Sequence, residues 1–296
     1  MNHSVNEMPA PVRPCPRPFF GMAFVNRLCG WWTALVLAFL YLPLVLLVAY
    51  SFNSSRLNVV WEGFTVRWYR EMLANEPLIR ALKNSVLIAG VTTIFSVLIG
   101  TTGAWLLHRY RYRYKRLWEA LVFVPMAVPE VIMGIGLLIL FTAVAPGING
   151  VLDSVFGPAT EARFALGFLT TIIAHVTFCF PLVLVTVQAR LADLDPALEE
   201  AALDLGASPF ATFWRVIIPC IMPAIVSGAL MAFTLSMDEV LVTYFVCGPE
   251  SKTLPLEIYD NVRKGLNPML NAISAVFVVV TALLVFIAER IRRIGR

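Results

Sequence analysis

A chain of 296 residues with 59% hydrophobic side chains, 14% charged ones and a mean hydropathy of +0.77 is too apolar for a water-soluble domain of that size and belongs in a bilayer. Its 23 Lys and Arg against 19 Asp and Glu gather in short stretches between apolar runs, which suits topology determinants and excludes a nucleic-acid face. Cys15, Cys29, Cys179, Cys220 and Cys247 are scattered, with no C-x-x-C pair, and read as small hydrophobes with no disulfide framework or zinc site.

In chain order, residues 1–29 form a tail in which Pro9, Pro11, Pro14, Pro16 and Pro18 forbid a helix and favour an extended, disordered segment. The apolar run that follows is too long for a signal-peptide core and lacks a small-residue cleavage site, so it is expected to remain as the first span. A helix needs about 20 apolar residues to cross a hydrocarbon layer of roughly 30 Å, where only internal hydrogen bonds satisfy its backbone. Six stretches qualify, at about 31–50, 85–107, 121–144, 165–187, 224–246 and 269–288, within one transmembrane domain over residues 30–290. Residues 291–296 make a short basic tail.

Positive charge sets the expected orientation. Arg13, Arg17 and Arg27 precede span one; Arg109, Arg111, Arg113, Lys115 and Arg116 follow span two; Arg190 and Arg215 follow span four; Arg290, Arg292, Arg293 and Arg296 follow span six. The opposite loops are longer and carry compensating acids, so both termini are expected in the cytoplasm. Tyrosines at 110, 112 and 114 interleave the 109–116 tract, yet its place beside two span ends marks it as a stop signal on anionic headgroups.

The loop at 191–219 holds the densest local signals. Asp195 is an N-cap with Pro196 at the first helical position, and Gly206 suits a left-handed helix end. Ser208 and Pro209 repeat the start signal for a second short helix, whose Phe210, Phe213, Trp214 and Ile217 fall at i, i+3, i+4 and i+7 on one apolar stripe. Pro219 is where that helix is expected to yield to span five. Such a capped pair of helices is either an amphipathic element lying on headgroups or a segment that inserts into a groove on a partner protein.

This segment resembles the signature loop of permeases in binding-protein-dependent ABC importers: Glu-Ala-Ala, three residues, Gly, nine residues, then Ile-x-Leu-Pro. Glu200, Ala201, Ala202, Gly206 and Pro219 match at that spacing, with Val216 and Ile218 as apolar replacements. The resemblance implies an all-α, six-helix permease of the type I importer fold, in the bacterial inner membrane. It also implies that Glu200, Ala201, Ala202, Gly206, Phe210, Phe213, Trp214 and Pro219 couple the spans to a separate ATPase dimer. No Gly-x-x-x-x-Gly-Lys-Ser/Thr phosphate loop occurs in the chain, so ATP and magnesium are assigned to that partner and no cofactor or catalytic residue to this chain.

Further stretches resemble spermidine/putrescine permeases, with the first outer loop nearest the putrescine systems: Tyr50–Ser55 with Trp68 and Tyr69, Ala174–Cys179, Thr234–Glu239, Thr253–Tyr259, Asn267–Pro268 and Asn271–Ala272. This implies a polyamine cargo, a periplasmic polyamine-binding protein and a second, homologous permease. Independently, Glu130 in span three and Asp238 with Glu239 in span five are acids at membrane depth, where an ionised carboxylate costs about 2.5 kcal/mol or more. They are candidates for a cationic pathway, as is His175 in span four; the alternative is that they hold neighbouring helices. Adjacent helical positions point about 100° apart, so Asp238 and Glu239 are expected to divide those roles. Rival readings are the same importer class carrying an opine, ferric iron or thiamine, and an ion-coupled secondary transporter. A membrane-embedded enzyme lacks a paired catalytic constellation in this sequence.

Overall fold

The computed structural model describes residues 22–55, 60–110, 113–157, 163–264 and 268–294. The proline-rich segment before residue 22, with Cys15, Arg13 and Arg17, lies outside the described residues, as do Arg56, Arg111, Tyr112, Asn267 and Arg296. The chain divides into two compact units, Met1–Leu47 and Val48–Arg296, where one unit from residue 30 was expected.

The first unit holds most of helix α1 (Met22–Tyr50), which keeps Pro43 in its interior. Proline is tolerated in a membrane-spanning helix because other groups can satisfy the carbonyl it frees. In the second unit, a loop leads to α2 (Arg67–Ala74) and α3 (Glu76–Arg109), followed by α4 (Lys115–Ala127) and α5 (Glu130–Phe156). Next come α6 (Phe168–Ala192), α7 (Ala197–Asp204) and α8 (Pro209–Thr212), which runs through a π-helical turn at Phe213–Ile217 into α9 (Ile218–Asp238). The chain ends with α10 (Leu241–Val246), a 3-10 turn at Pro249–Ser251, α11 (Leu254–Lys264) and α12 (Pro268–Ile294). Among the described residues, six helical stretches are long and apolar enough to cross a membrane: Phe24–Tyr50, Glu76–Arg109, Glu130–Phe156, Phe168–Ala192, Pro209–Asp238 and Pro268–Ile287.

Three of these, α3, α6 and α9, pack into a common core around Phe178, Cys179, Val183, Leu184, Val187, Ile217 and Ile221. Close approach depends on two glycines. A methyl at Gly100 would stand 2.9 Å from Val183 Cβ and 3.0 Å from the backbone of Leu184 and Phe180, and one at Gly228 would lie 3.3 Å from Val183 Cγ1. The small residues Ser96, Gly100, Thr101 and Ala104 line the buried side of α3, while Thr102 is exposed.

Helix α3 starts where Asn75 Oδ1 accepts the Leu78 N–H at 3.2 Å, with Glu76 in the first turn, and closes with His108 and Arg109; the Glu76 and Arg109 charges complement the helix dipole. Near that start, Asn84 Nδ2 donates to the carbonyls of Glu250 and Lys252 at 2.9 and 3.0 Å, and Ser85 Oγ accepts the Leu254 N–H at 2.7 Å. The segment between α10 and α11 is thereby tied to α3. The residues quoted above for the loop after span one also converge: Trp68 Nε1 donates to the Asn53 carbonyl at 2.7 Å, Ser51 Oγ and Tyr69 OH lie 2.7 Å apart, and Phe52 stacks on Phe64.

Two expectations change. The third span was read as a single stretch over 121–144; it is divided, α4 ending at Ala127 and α5 beginning at Glu130, because Pro129 disfavours helical angles at Val128 and lacks an N–H to continue the ladder. The fifth was read as continuous over 224–246; instead α9 ends at Asp238, Glu239 is extended, and α10 restarts at Leu241.

Candidate functional site

The segment between α6 and α9 is built by its capping residues. Asp195 Oδ1 accepts the Ala197 N–H at 3.0 Å, and Glu199 and Glu200 occupy the first turn of α7, where the helix dipole favours anions. At the other end Gly206 has φ +84°; its N–H bonds to the Leu203 carbonyl at 2.9 Å, and that of Ala207 to the Ala202 carbonyl at 3.1 Å. This pair of bonds is the Schellman closure, and it needs the left-handed residue that glycine supplies most cheaply. Ser208 Oγ then accepts the Ala211 N–H at 3.2 Å, and Pro209 opens α8.

The second helix does not stop at Pro219 as expected. Pro219 cannot donate to Arg215, and the strain is absorbed by the π turn, in which the Ile218 N–H bonds to the Phe213 carbonyl, so helix continues from Pro209 to Asp238. The stripe at 210, 213, 214 and 217 also divides. Phe213 and Ile217 enter the core, with the Phe213 ring 4.5 Å from that of Trp105, whereas Phe210 is 71% and Trp214 53% exposed. Together with Leu205, 89% exposed, these two aromatics leave apolar surface uncovered beside Glu200, which is also exposed. Exposed apolar surface rimmed by charge marks an interaction site. The adjacent Glu199 turns the other way and pairs with Arg109 at the end of α3, a contact that sequence reasoning missed because it singled out Glu200 alone.

A second site lies where the two interrupted spans meet. Gly134 of α5 packs so tightly against α10 that a methyl there would come 2.7 Å from Phe245 Cδ2. Glu130 is not at mid-span: it occupies the first turn of α5 and is exposed. Glu239 is not on a helix face. It is 5% exposed, and its Oε1 accepts the Val242 N–H at 2.7 Å, capping α10. Asp238, the last residue of α9, is exposed, and the carbonyls closing α9 place the negative end of a helix dipole beside it.

His175 stands apart from those acids. It is fully buried, with Nδ1 2.7 Å from Ser236 Oγ and Nε2 2.8 Å from Thr243 Oγ1, so both nitrogens are engaged and neither is free for cargo. The imidazole pins α6 to both halves of the interrupted fifth span. Its partners lie 61 and 68 residues away in the chain, beyond the reach of local pattern. No cluster of three or more metal-ligating side chains occurs among the described residues.

Among the described residues, six apolar helices and a glycine-hinged helix pair running into the fifth define a helical, multi-span membrane protein. Residues 96–294 match the family described as binding-protein-dependent transport system inner membrane component, and the chain belongs to it. It is 39% identical over 264 residues to the spermidine/putrescine transport system permease protein PotC of Escherichia coli (strain K12), covering 89% of this chain and 93% of that one. It is 40% identical over 268 residues to the putrescine transport system permease protein PotI of the same organism, covering 87% and 91%. The fold is shared with a solved bacterial ABC transporter for import of the acidic polysaccharide alginate, with a TM-score of 0.70, 18% identity, and 92% and 95% of the two chains covered. It is shared also with the inward-facing MetNI methionine ABC transporter, at a TM-score of 0.57, 20% identity, and 75% and 99% coverage.

Proposed function

We propose that this chain is the permease subunit through which an ATP-driven importer moves a polyamine, putrescine first and spermidine second, into the bacterial cytoplasm. The observation that carries the reading is a pair of exposed acids at the breaks of two interrupted spans, Glu130 opening α5 and Asp238 closing α9, within a chain about 40% identical to PotC and PotI. A di- or polyamine is a chain of ammonium groups on an apolar spine, and carboxylates beside a helix C-terminus in an apolar wall complement it. Glu130 and Asp238, both exposed, contact the cargo; buried Glu239 shapes the site by holding α10.

The segment 191–219 docks in a groove of a separate ATPase subunit, with Glu200 making a charge-assisted contact to a basic residue there and Leu205, Phe210 and Trp214 filling apolar pockets. Ala201 and Ala202 keep the helix slim, and Gly206 sets the angle between the two helices. On this reading both chain termini lie in the cytoplasm. A periplasmic binding protein delivers the cargo, ATP binding closes the paired ATPase subunits, and the docking segment transmits that closure to the spans. Hydrolysis resets them. A second, homologous permease completes the pathway; this chain itself is non-catalytic and holds no cofactor.

The test is uptake of labelled putrescine by the assembled complex in proteoliposomes. Loss of one charge-assisted contact corresponds to about a tenfold change. Glu130→Gln and Asp238→Asn should each lower uptake to that extent while the complex assembles normally, and unchanged kinetics in both would assign these acids to helix packing. A ligand survey of the cognate binding protein separates a polyamine from an opine, ferric iron or thiamine. Transport by the chain without an ATPase would establish the ion-coupled alternative.

A further inference from the structure

We infer that Arg109 and Glu199 form a positioning link that delivers movement of α7 to α3, the one member of the packed helix trio that is not joined to the docking segment by the chain. The inference rests on reading residues 191–219 as the ATPase-docking segment.

The covalent path is unequal. Helix α7 follows α6 after a short turn and passes through α8 and the π turn into α9, so any displacement of α7 reaches those two spans along the backbone. Helix α3 is far away in sequence, yet it is keyed to α6 at Gly100 and shares a core with both α6 and α9. If the docking segment moved α6 and α9 alone, that core would shear. Two contacts prevent this. One is the ion pair from Arg109 Nη1 to Glu199 Oε1; the other is the Trp105 ring, 4.5 Å from Phe213 in the π turn.

The geometry assigns the two neighbouring glutamates opposite duties. Consecutive residues on a helix project about 100° apart, so with Glu200 exposed toward a partner, Glu199 is directed at its own chain. The paired side chains are only 27% and 25% exposed, which protects the contact from much of the screening that weakens a surface pair. Arg109 also lies in the last turn of α3, where a positive charge complements the helix dipole and a planar guanidinium holds a fixed angle to a carboxylate. A link of this kind acts through position. It touches neither cargo nor nucleotide.

The experiment measures putrescine transported per ATP hydrolysed by the whole complex in proteoliposomes, alongside co-purification of the ATPase subunit. Arg109→Gln and Glu199→Gln should each lower that ratio by about two- to fivefold, the range expected of a half-shielded ion pair, while the ATPase still co-purifies. Charge reversal in the double variant Arg109→Glu with Glu199→Arg should restore most of the ratio, and Arg109→Lys should retain part of it. An unchanged ratio in both single variants overturns the inference, and so does a loss that the reversed pair fails to recover, since Arg109 would then be acting on headgroups or on the ATPase. Should Arg109→Gln insert poorly, Glu199→Gln carries the test, because a glutamate at that position has no part in setting topology. The docking reading is judged separately by Glu200→Lys: it should release the ATPase, and full retention would remove that reading whatever the ratio shows.

Discussion

Val183 lies between Gly100 of α3 and Gly228 of α9, and side-chain volume at that crossing decides how closely three helices approach. Gly100→Val puts three carbons where a single one would already stand 3.0 Å from backbone atoms of α6, which cannot swing aside. Overpacking of this kind costs about 1–3 kcal/mol, to be read as a lower unfolding temperature of the purified complex. His175→Ala strands the buried Ser236 hydroxyl and removes one of two partners from Thr243, whose Oγ1 still donates to the Glu239 carbonyl, and should destabilise by about 1–3 kcal/mol while putrescine transport per folded molecule stays intact. A selective loss of putrescine affinity in that variant would return His175 to the pathway. The α3 side of the glycine crossing is visible in the run of small residues from Gly100 to Ala104, because small residues at membrane depth have few other uses. The partners of His175 were invisible, because both come from a helix and a restart far along the chain.

Elements were legible where their start and stop signals are local. Asp195, Pro196, Gly206, Ser208 and Pro209 each act on atoms within a few residues, and the structure contains the caps they imply. Gly206→Ala forces a Cβ into a left-handed backbone at about 1–2 kcal/mol; open space around it means no clash adds to that. The expected result is weaker ATPase co-purification with normal membrane insertion. The end of α9 had no such sign. Residues Met237 to Val240 contain neither glycine nor proline, and the restart depends on the Glu239 carboxylate capping α10, which hydropathy alone reads as one more turn of a long helix. Glu239→Ala should therefore destabilise by about 0.5–2 kcal/mol in thermal unfolding, whereas Glu239→Gln keeps an acceptor and most of the stability. The break before Glu130 was legible in Pro129, although the apolar runs on either side were still counted as one span.

At the scale of the whole molecule, hydropathy and charge were enough for an all-helical chain with six crossings, because the cost of an unsatisfied backbone in lipid leaves few other solutions. Orientation is open to direct measurement. With the native cysteines replaced, Leu205→Cys should react with a membrane-impermeant maleimide in inverted vesicles and not in intact cells, since residue 205 is 89% exposed on the proposed cytoplasmic face. Labelling from outside would reverse the topology and the docking assignment with it.

The uninterrupted helix from Pro209 to Asp238 turns that topology into gearing. Thirty residues at 1.5 Å each make a lever about 45 Å long, with the aromatics Phe210 and Trp214 at one tip and the Asp238 carboxylate at the other. A tilt of about 10° around a fulcrum near Gly228, two-thirds of the way along, would sweep the aromatic tip by about 5 Å and the acidic tip by roughly half as much in the opposite direction. A pull on the handle thus becomes a smaller, reversed displacement at the far tip.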